Sequence, residues 1–249
     1  SAGGAGMALA QWMEDGEIPF DLGDVDIARM HPFQGNKHYL FERSTETLGL
    51  LYADHFPYRQ KATARGVRRT PFHYHLLEQG AVMGEVNGWE RANWFANEGQ
   101  EREYKYSWKR QNWFENSAAE HKAVRENVGM YDMSSFGKLR VEGPDAEALL
   151  NRVCGANMSV PAGKIVYTQF LNSKGGIEAD VTVTRLTETV YLVVTPAATR
   201  LADETHLRRN AEGYQVVITD VTAAEGVLAL MRPNARDILA KVSPNEISN

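Results

Sequence analysis

The sequence predicts an α+β fold in which antiparallel strands combine with a few helices. Three strand-like runs, at 165–171, 177–185 and 190–195, follow one another with only short turns between them. The turn NSKGG joins the first two runs, as in an antiparallel hairpin. Helical patterns lie on both sides: PDAEALLNRVC carries Pro144 at its start, and another helix is predicted near 197–210. KLRVEG, YQVVITDV and GVLALM are predicted as further strands, and a final helix follows them.

The composition is that of a folded globular protein. The chain has 249 residues, of which 43% are hydrophobic and 24% charged, and its net charge is −5. This acidic balance provides no electrostatic reason to expect nucleic acid or an anionic membrane as a partner. No apolar run reaches the ~18 residues that span a bilayer. The single cysteine, Cys154, excludes an intrachain disulfide and is predicted to be a buried thiol.

The pattern divides the chain into three regions. Residues 1–36 contain a glycine turn, a short helix and an acidic extended stretch. Residues 37–95 are predicted to be a mainly helical middle region that ends in a turn-rich segment. Residues 96–249 alternate strands and helices.

Local signals place several elements in these regions. A helix from residue 37 would use one face made of Leu40, Ser44, Thr47, Leu48, Leu51 and Tyr52. Thr70 is predicted to cap a second helix that ends before Gly80. Ser117 and Glu120 are predicted to form the capping box of a third.

The sequence shows neither the residue spacing of a metal site nor that of a catalytic nucleophile. His73 and His75 are two residues apart on a predicted helix, so they do not share the face that an i, i+4 pair of ligands would occupy. We therefore predict no metal site. The serines lack the spacing of a nucleophile elbow.

Asp180 is the unusual residue of the strand run 177–185, because aspartate is rarely placed inside a strand. Alternation puts it on the polar face with Glu178 and Thr182, opposite an apolar face. That polar face is either the solvent side of a half-buried strand or the lining of a cavity. In a cavity, Asp180 could accept hydrogen bonds from a nitrogen heterocycle, with Tyr167 and Tyr191 supplying flat contact area.

Longer strings of residues resemble a known family. GWERANWF is similar to a signature of the dimethylglycine and sarcosine dehydrogenase/oxidase family, and SAGGAGMALAQWM resembles the end of its FAD-dependent oxidoreductase domain. YTQFLNSKGGIEADVTVTRL and the strings from AVRENVGMYDMSSF onward resemble its folate-binding domain, which is similar to the T-protein (aminomethyltransferase) of glycine cleavage. The resemblance implies a tail of the FAD domain at 1–36, a middle or linker domain at 37–95 and an incomplete T-protein-like domain at 96–249.

The resemblance also implies the chemistry. Such enzymes oxidise an N-methyl amine on FAD and pass the one-carbon unit to tetrahydrofolate, giving methylenetetrahydrofolate. Electrons then go to oxygen or to an electron-carrier protein. The implied location is the cytoplasm, or the mitochondrial matrix in a eukaryote. The implied partners are a small methylated amine and folate.

Individual residues take roles from this resemblance. Asp180 matches the catalytic aspartate after the GG turn, and Tyr167, Phe136 and Tyr191 match folate-lining positions. For these three aromatic residues, a place in the core is the alternative. Gly3, Gly4 and Gly6 would approach FAD in the intact protein. We expect most FAD contacts, and the later folate ligands, to lie outside this chain, so that the chain alone neither binds FAD nor oxidises an amine. The alternatives are an aminomethyltransferase and a non-enzymatic folate-binding regulatory module.

Overall fold

The computed structural model describes residues 2–16, 18–23, 25–26, 29–245 and 247. The helices in these ranges are α1 Ala2–Asp15, α2 Lys37–Leu50, α3 His73–Glu78, α4 Phe114–Glu126, α5 Ala146–Val153, α6 Arg200–Asn210 and α7 Ala235–Val242. The strands are β1 Arg68–Arg69, β2 Ala81–Val86, β3 Trp89–Phe95, β4 Gly129–Asp132, β5 Gly137–Glu142, β6 Ile165–Leu171, β7 Ile177–Arg185, β8 Val190–Thr195, β9 Val217–Asp220 and β10 Leu228–Met231. A short 3₁₀ helix, Pro32–Gly35, precedes α2.

A five-stranded sheet carries the main core. Its strand order is β6-β7-β8-β5-β9, and each neighbouring pair is antiparallel. One face is covered, with helices α5 and α6 contributing to its core. The core side chains come from alternate positions of the strands and from the apolar stripes of the two helices: Leu139, Val141, Leu149, Leu150, Phe170, Val181, Val183, Tyr191, Val193 and Leu207.

The opposite face of this sheet is open along β6 and β7. Along β7, Ala179, Val181 and Val183 are buried, whereas Asp180 between them is exposed. This is the two-residue period of a strand that packs on one side only. The candidate site lies on the open face.

The predicted α+β class is confirmed, and so are the predicted bounds of β6, β7 and β8. The helices predicted at PDAEALLNRVC, near 197–210 and at the end of the chain are present as α5, α6 and α7. Cys154 is buried, and burial raises the pKa of its thiol to about 12, as expected for an unreactive core residue.

The region 37–95 is less helical than predicted. Its turn-rich end is a β-hairpin, in which Asn87 and Gly88 connect β2 to β3, and β1 adds to β3 in parallel. Helix α2 begins as predicted, because the Asn36 side chain accepts hydrogen bonds from two backbone N–H groups of its first turn. The predicted helix face is exposed at Leu48 and Tyr52.

The start predicted for α3 is wrong. The hydroxyl of Thr70 donates to Asp132, 2.5 Å from its Oδ2, and therefore does not cap the helix, which begins at His73. Gly80 does lie just beyond the helix end, with a φ of +93°. A Cβ at Gly80 would come within 2.7 Å of the Ala96 carbonyl oxygen, so glycine is required there.

The capping box predicted at Ser117 and Glu120 is also wrong. Helix α4 begins at Phe114, and the Ser117 N–H already donates to the carbonyl of Trp113 at 3.0 Å. The Glu120 side chain instead accepts a hydrogen bond from the backbone N–H of Phe95, which joins α4 to β3.

The start of the chain differs from the prediction too. Gly3, Gly4 and Gly6 lie inside α1 rather than in a turn before a helix. In the acidic stretch that follows, residues 17, 24, 27 and 28 lie outside the described residues, so its extended conformation is not addressed at those positions.

Gly88 lies in the turn of the β2–β3 hairpin, close to the ring of Phe33. Its φ is +80°, and a Cβ there would lie 2.6 Å from the ring of Phe33. We expect Gly88→Ala to lower the free energy of unfolding by about 2 kcal/mol, because left-handed strain and overpacking add. Gly99→Ala is the matched control: its φ is +78°, but nothing lies within 4 Å of the added Cβ. Equal losses for both variants in urea unfolding would show that the Phe33 contact contributes nothing.

A buried charge cluster joins residue 31 to the sheet. Arg200, the first residue of α6, donates from Nη1 to Glu204 Oε2 at 2.7 Å and to Asp220 Oδ2 at 2.8 Å. Its Nη2 lies 3.2 Å from His31 Nδ1. Burial, followed by the charges of Arg200 and Arg68, lowers the pKa of His31 to about 4. His31 is therefore neutral at physiological pH and can accept the hydrogen bond from Arg200.

Asp203, also on α6, makes the stability of the chain depend on pH. It is buried, and its carboxylate accepts hydrogen bonds from Thr195 and Thr199. Burial is the main cause that raises the pKa of Asp203 to about 6. Because this pKa is above that of an unfolded aspartate, the contribution of Asp203 to stability is complete below about pH 4 and is lost as the pH rises through about 6.

Asp203→Asn should therefore stabilise the chain at pH 7.5 by about 2–3 kcal/mol, since the amide keeps the acceptor oxygen without the buried charge. Urea unfolding from pH 4 to 7.5 should show the gap between variant and wild type opening as the pH rises. Asp237→Asn, at an exposed position of α7, is the control. A gap for Asp203→Asn that is the same at all pH values would contradict the prediction.

Candidate functional site

Three side chains from two neighbouring strands meet on the open face of the five-stranded sheet. In the β6–β7 register, Gln169 lies directly opposite Asp180, and Tyr167 lies two residues before Gln169 on β6. The Tyr167 hydroxyl donates to Asp180 Oδ2 at 2.8 Å, and Gln169 Nε2 donates to Oδ1 at 3.1 Å. Each carboxylate oxygen therefore has one donor from the protein.

The cluster is accessible to a ligand. Asp180 is exposed, and Tyr167 has 66% of its surface exposed, so the ring is available for stacking. The hydrogen bond to Asp180 is the main cause that raises the pKa of Tyr167, and its hydroxyl therefore stays protonated and donating. An ionised carboxylate has about four acceptor sites, so Asp180 keeps lone pairs for N–H groups of a ligand.

Tyr191 is not part of this cluster. It is fully buried on the covered face, where its hydroxyl lies 3.2 Å from the carbonyl oxygen of Met158. Tyr191 pairs with Arg185 of β7, which is two residues from the core residue Val183. Residues two apart on a strand point to the same face, so Tyr191 also points to the core. The expectation that Tyr191 lines a folate pocket is therefore corrected: the structure places it in the core.

Phe136 and the glycines lie elsewhere. Phe136 is half-buried in the turn before β5, and β8 separates β5 from β7, the strand of Asp180. Gly3, Gly4 and Gly6 are exposed on α1, with nothing within 4 Å of a Cβ built on any of them. The residues described at this end of the chain thus build no cradle for a flavin phosphate.

Gln169 is the site residue that the sequence interpretation missed. A signal for it existed, because in a hairpin around NSKGG the alternation that places Tyr167 on the polar face also places Gln169 there. Its position opposite Asp180 depends on an irregularity in the register between Phe170 and Leu171, which no local pattern reveals.

Within the described ranges, no group of three or more His, Cys, Asp or Glu side chains is arranged to hold a metal ion. No helix in the described part of the chain is long and apolar enough to cross a membrane. A cavity of about 530 Å³ lies between residues 18–23, the β6–β7 turn and α6, but Asp180 is not among the residues that line it.

Comparison with protein families identifies the chain. Residues 72–249, which include the whole five-stranded sheet, match the model of the GCVT N-terminal domain. The chain belongs to this family. Residues 15–70, before the GCVT N-terminal domain, match the FAD dependent oxidoreductase central domain. The boundaries predicted after residues 36 and 95 stay a prediction.

Curated relatives match the chain over its whole length. The chain is 45% identical over 248 residues to 4-methylaminobutanoate oxidase (formaldehyde-forming) of Paenarthrobacter nicotinovorans, with 100% of this chain and 30% of that protein covered. It is 32% identical over 250 residues to mitochondrial dimethylglycine dehydrogenase of Rattus norvegicus, with 100% and 29% covered. The chain thus spans about three tenths of these relatives. The resemblance to the dimethylglycine and sarcosine dehydrogenase/oxidase family is confirmed.

The GCVT fold is also seen in a solved structure. The aminomethyltransferase T of the glycine cleavage system from Bartonella henselae superposes with a TM-score of 0.58 and 24% identity, covering 70% of this chain and 43% of that one. At this identity the likeness shows the fold alone, and it confirms the predicted T-protein-like α+β architecture.

Proposed function

We propose that the chain forms the folate-facing part of an FAD-dependent enzyme that oxidises an N-methyl amine and transfers the one-carbon unit to tetrahydrofolate. Relatives named as an oxidase or dehydrogenase of methylated amines support the oxidation. The match of residues 72–249 to the GCVT N-terminal domain supports a folate partner. The observation that carries the proposal is Asp180, exposed on the sheet with both oxygens oriented by Tyr167 and Gln169.

The residues of the site fit a reduced pterin. A pterin is flat and carries several N–H groups, so it needs an aromatic surface and a hydrogen-bond acceptor beside each other. Tyr167 offers the first, and the free lone pairs of Asp180 offer the second. Phe136 would take part only if the turn before β5 moved toward β7, and Tyr191 would act by supporting the sheet from the core side.

The chemistry divides between the cofactor and the chain. FAD, when bound, accepts the hydride of the methylated amine. The exposed glycines of α1 do not fit FAD by themselves, so its binding depends on parts of the protein other than the described residues. The role of this chain is to orient tetrahydrofolate. Formaldehyde and two N–H groups of tetrahydrofolate give the methylene bridge and water, and Asp180 can accept one proton as a C–N bond forms.

Product analysis of the full-length protein tests the proposal. The protein with FAD would be given 4-methylaminobutanoate, dimethylglycine or sarcosine, with oxygen or an artificial dye as electron acceptor, in the presence and absence of tetrahydrofolate. We expect formaldehyde without folate and methylenetetrahydrofolate with it. Free formaldehyde in both conditions would exclude one-carbon capture. Folate binding without amine oxidation would favour the regulatory module, and folate-dependent transfer from an aminomethyl donor without FAD would favour an aminomethyltransferase.

The location of the protein follows from the same proposal. We expect it in the cytoplasm, or in the mitochondrial matrix if its source is a eukaryote, because tetrahydrofolate must be supplied there. In the same experiment, turnover with oxygen alone would indicate oxygen as the electron acceptor, and turnover that requires the dye would indicate a carrier protein.

A further inference from the structure

Gln169 occupies the position on β6 that controls the Asp180 carboxylate. Directly opposed residues of an antiparallel pair have Cβ atoms about 5 Å apart, so a long side chain at 169 reaches an aspartate at 180 without distortion. Gln169 is half-buried, whereas Asp180 is exposed. The glutamine is therefore the more buried partner of the pair.

The two donors together fix the plane of the carboxylate. Rotation of an aspartate about its Cβ–Cγ bond has a broad energy profile, and a single hydrogen bond allows the group to pivot. Here Tyr167 holds Oδ2 at 2.8 Å while Gln169 holds Oδ1 at 3.1 Å. Because the donors are residues i and i+2 of one strand, both bonds come from a rigid element. Loss of either one would free the rotation.

Amide chemistry suits this task. An ionised aspartate only accepts hydrogen bonds, so the attractive arrangement is the one in which the amide NH₂ faces Asp180. Glutamine donates without adding charge and leaves Asp180 able to take up a proton. A glutamate at the same place would put like charges opposite each other, which raises the pKa of a carboxyl pair.

We infer that Gln169 is a positioning residue for one-carbon transfer: it holds Asp180 in the orientation in which its free lone pairs meet the pterin N–H groups. This inference rests on the proposed function, because it assigns Asp180 the folate as its ligand. Gln169 itself need not touch the folate.

The test uses full-length protein with FAD, methylated amine and tetrahydrofolate. We expect Gln169→Leu to lower methylenetetrahydrofolate formation about ten- to hundredfold, the usual effect of losing a hydrogen bond to a charged group. Amine oxidation should stay within about twofold. Gln215→Leu, the same change at an exposed position before β9, is the matched control and should alter neither reaction.

The pH profile separates positioning from packing. In Gln169→Glu, the transfer should be weak at neutral pH and recover as the pH falls, because a protonated glutamate donates to Asp180 as glutamine does. The profile of amine oxidation should not move. Gln169→Leu has no group that acid can restore and should show no such recovery.

The outcomes distinguish the two claims. Suppose that Asp180→Asn abolishes transfer. If Gln169→Leu then behaves as Gln215→Leu does, or if Gln169→Glu shows no recovery in acid, the inference is wrong and the proposed function stands. If Asp180→Asn also leaves transfer unchanged, the proposed function itself is wrong.

Discussion

Asp180→Asn in the full-length protein should lower methylenetetrahydrofolate formation by a factor of about 10²–10⁴, the range for loss of a general acid–base group. Asparagine has the size of aspartate, and its oxygen can still accept the hydrogen bond from Tyr167. It cannot take up a proton from folate, and half of its polar surface becomes a donor facing the donor Gln169. The fold should therefore survive while the transfer is lost.

The measurement compares two products of one reaction mixture. Amine oxidation, followed by reduction of the electron acceptor, should be retained, and formaldehyde should accumulate in place of methylenetetrahydrofolate. Glu178→Gln is the matched control, because it makes the same carboxylate-to-amide change at an exposed position two residues away on β7. Parallel loss of oxidation and transfer in Asp180→Asn would mean that the residue supports the structure and not the transfer.

Arg200→Met should lower the free energy of unfolding by about 3–5 kcal/mol, because removing one member of a buried ion cluster leaves its partners without compensation. The Arg200 side chain is 8% exposed and lies 2.8 Å from Asp220 and 2.7 Å from Glu204. Methionine keeps most of the apolar stem that packs against Gly137, so the loss reports mainly on charge.

Urea unfolding at pH 7 measures this effect. Arg152→Met, which removes an exposed arginine from the last turn of α5, is the control and should cost less than about 0.5 kcal/mol. A second readout is local: faster hydrogen exchange at the start of α6 is expected in Arg200→Met, since Arg200 connects the first turn of α6 to β9 and to His31. A loss below about 1 kcal/mol would show that Asp220 and Glu204 are satisfied without Arg200.

Local patterns were reliable where the two faces of an element differ. In β7, small and β-branched apolar residues alternate with polar ones, so the pattern identified both the strand and the face of Asp180. The strand around Tyr191 has apolar residues on both faces, since Val190, Leu192 and Val194 alternate with Tyr191 and Val193. Alternation then identifies a strand but not which side is buried, so the pattern could not decide between a folate-lining and a core position for Tyr191, and the structure places it in the core.

Capping signals failed for a different reason. Thr70 and Ser117 are good N-cap residues by type, but the Thr70 hydroxyl is bound by Asp132, 62 residues away, and α4 begins before Ser117. The aromatic residue Trp113 supplies the first helix carbonyl, and Glu120 bonds to β3. Contacts between distant segments outweigh a cap whose contribution is only about 1 kcal/mol.

The α+β class, the three central strands and the polar face of β7 could be predicted from the sequence, because these depend on a two-residue period within single segments. Three other features became visible in the fold: the face of β6 and β7 that carries Asp180 is open, Gln169 and Tyr167 hold the two oxygens of Asp180, and Arg200 joins His31 to β9. These contacts depend on strand register and on the packing of segments far apart in the chain. No local pattern contains that information.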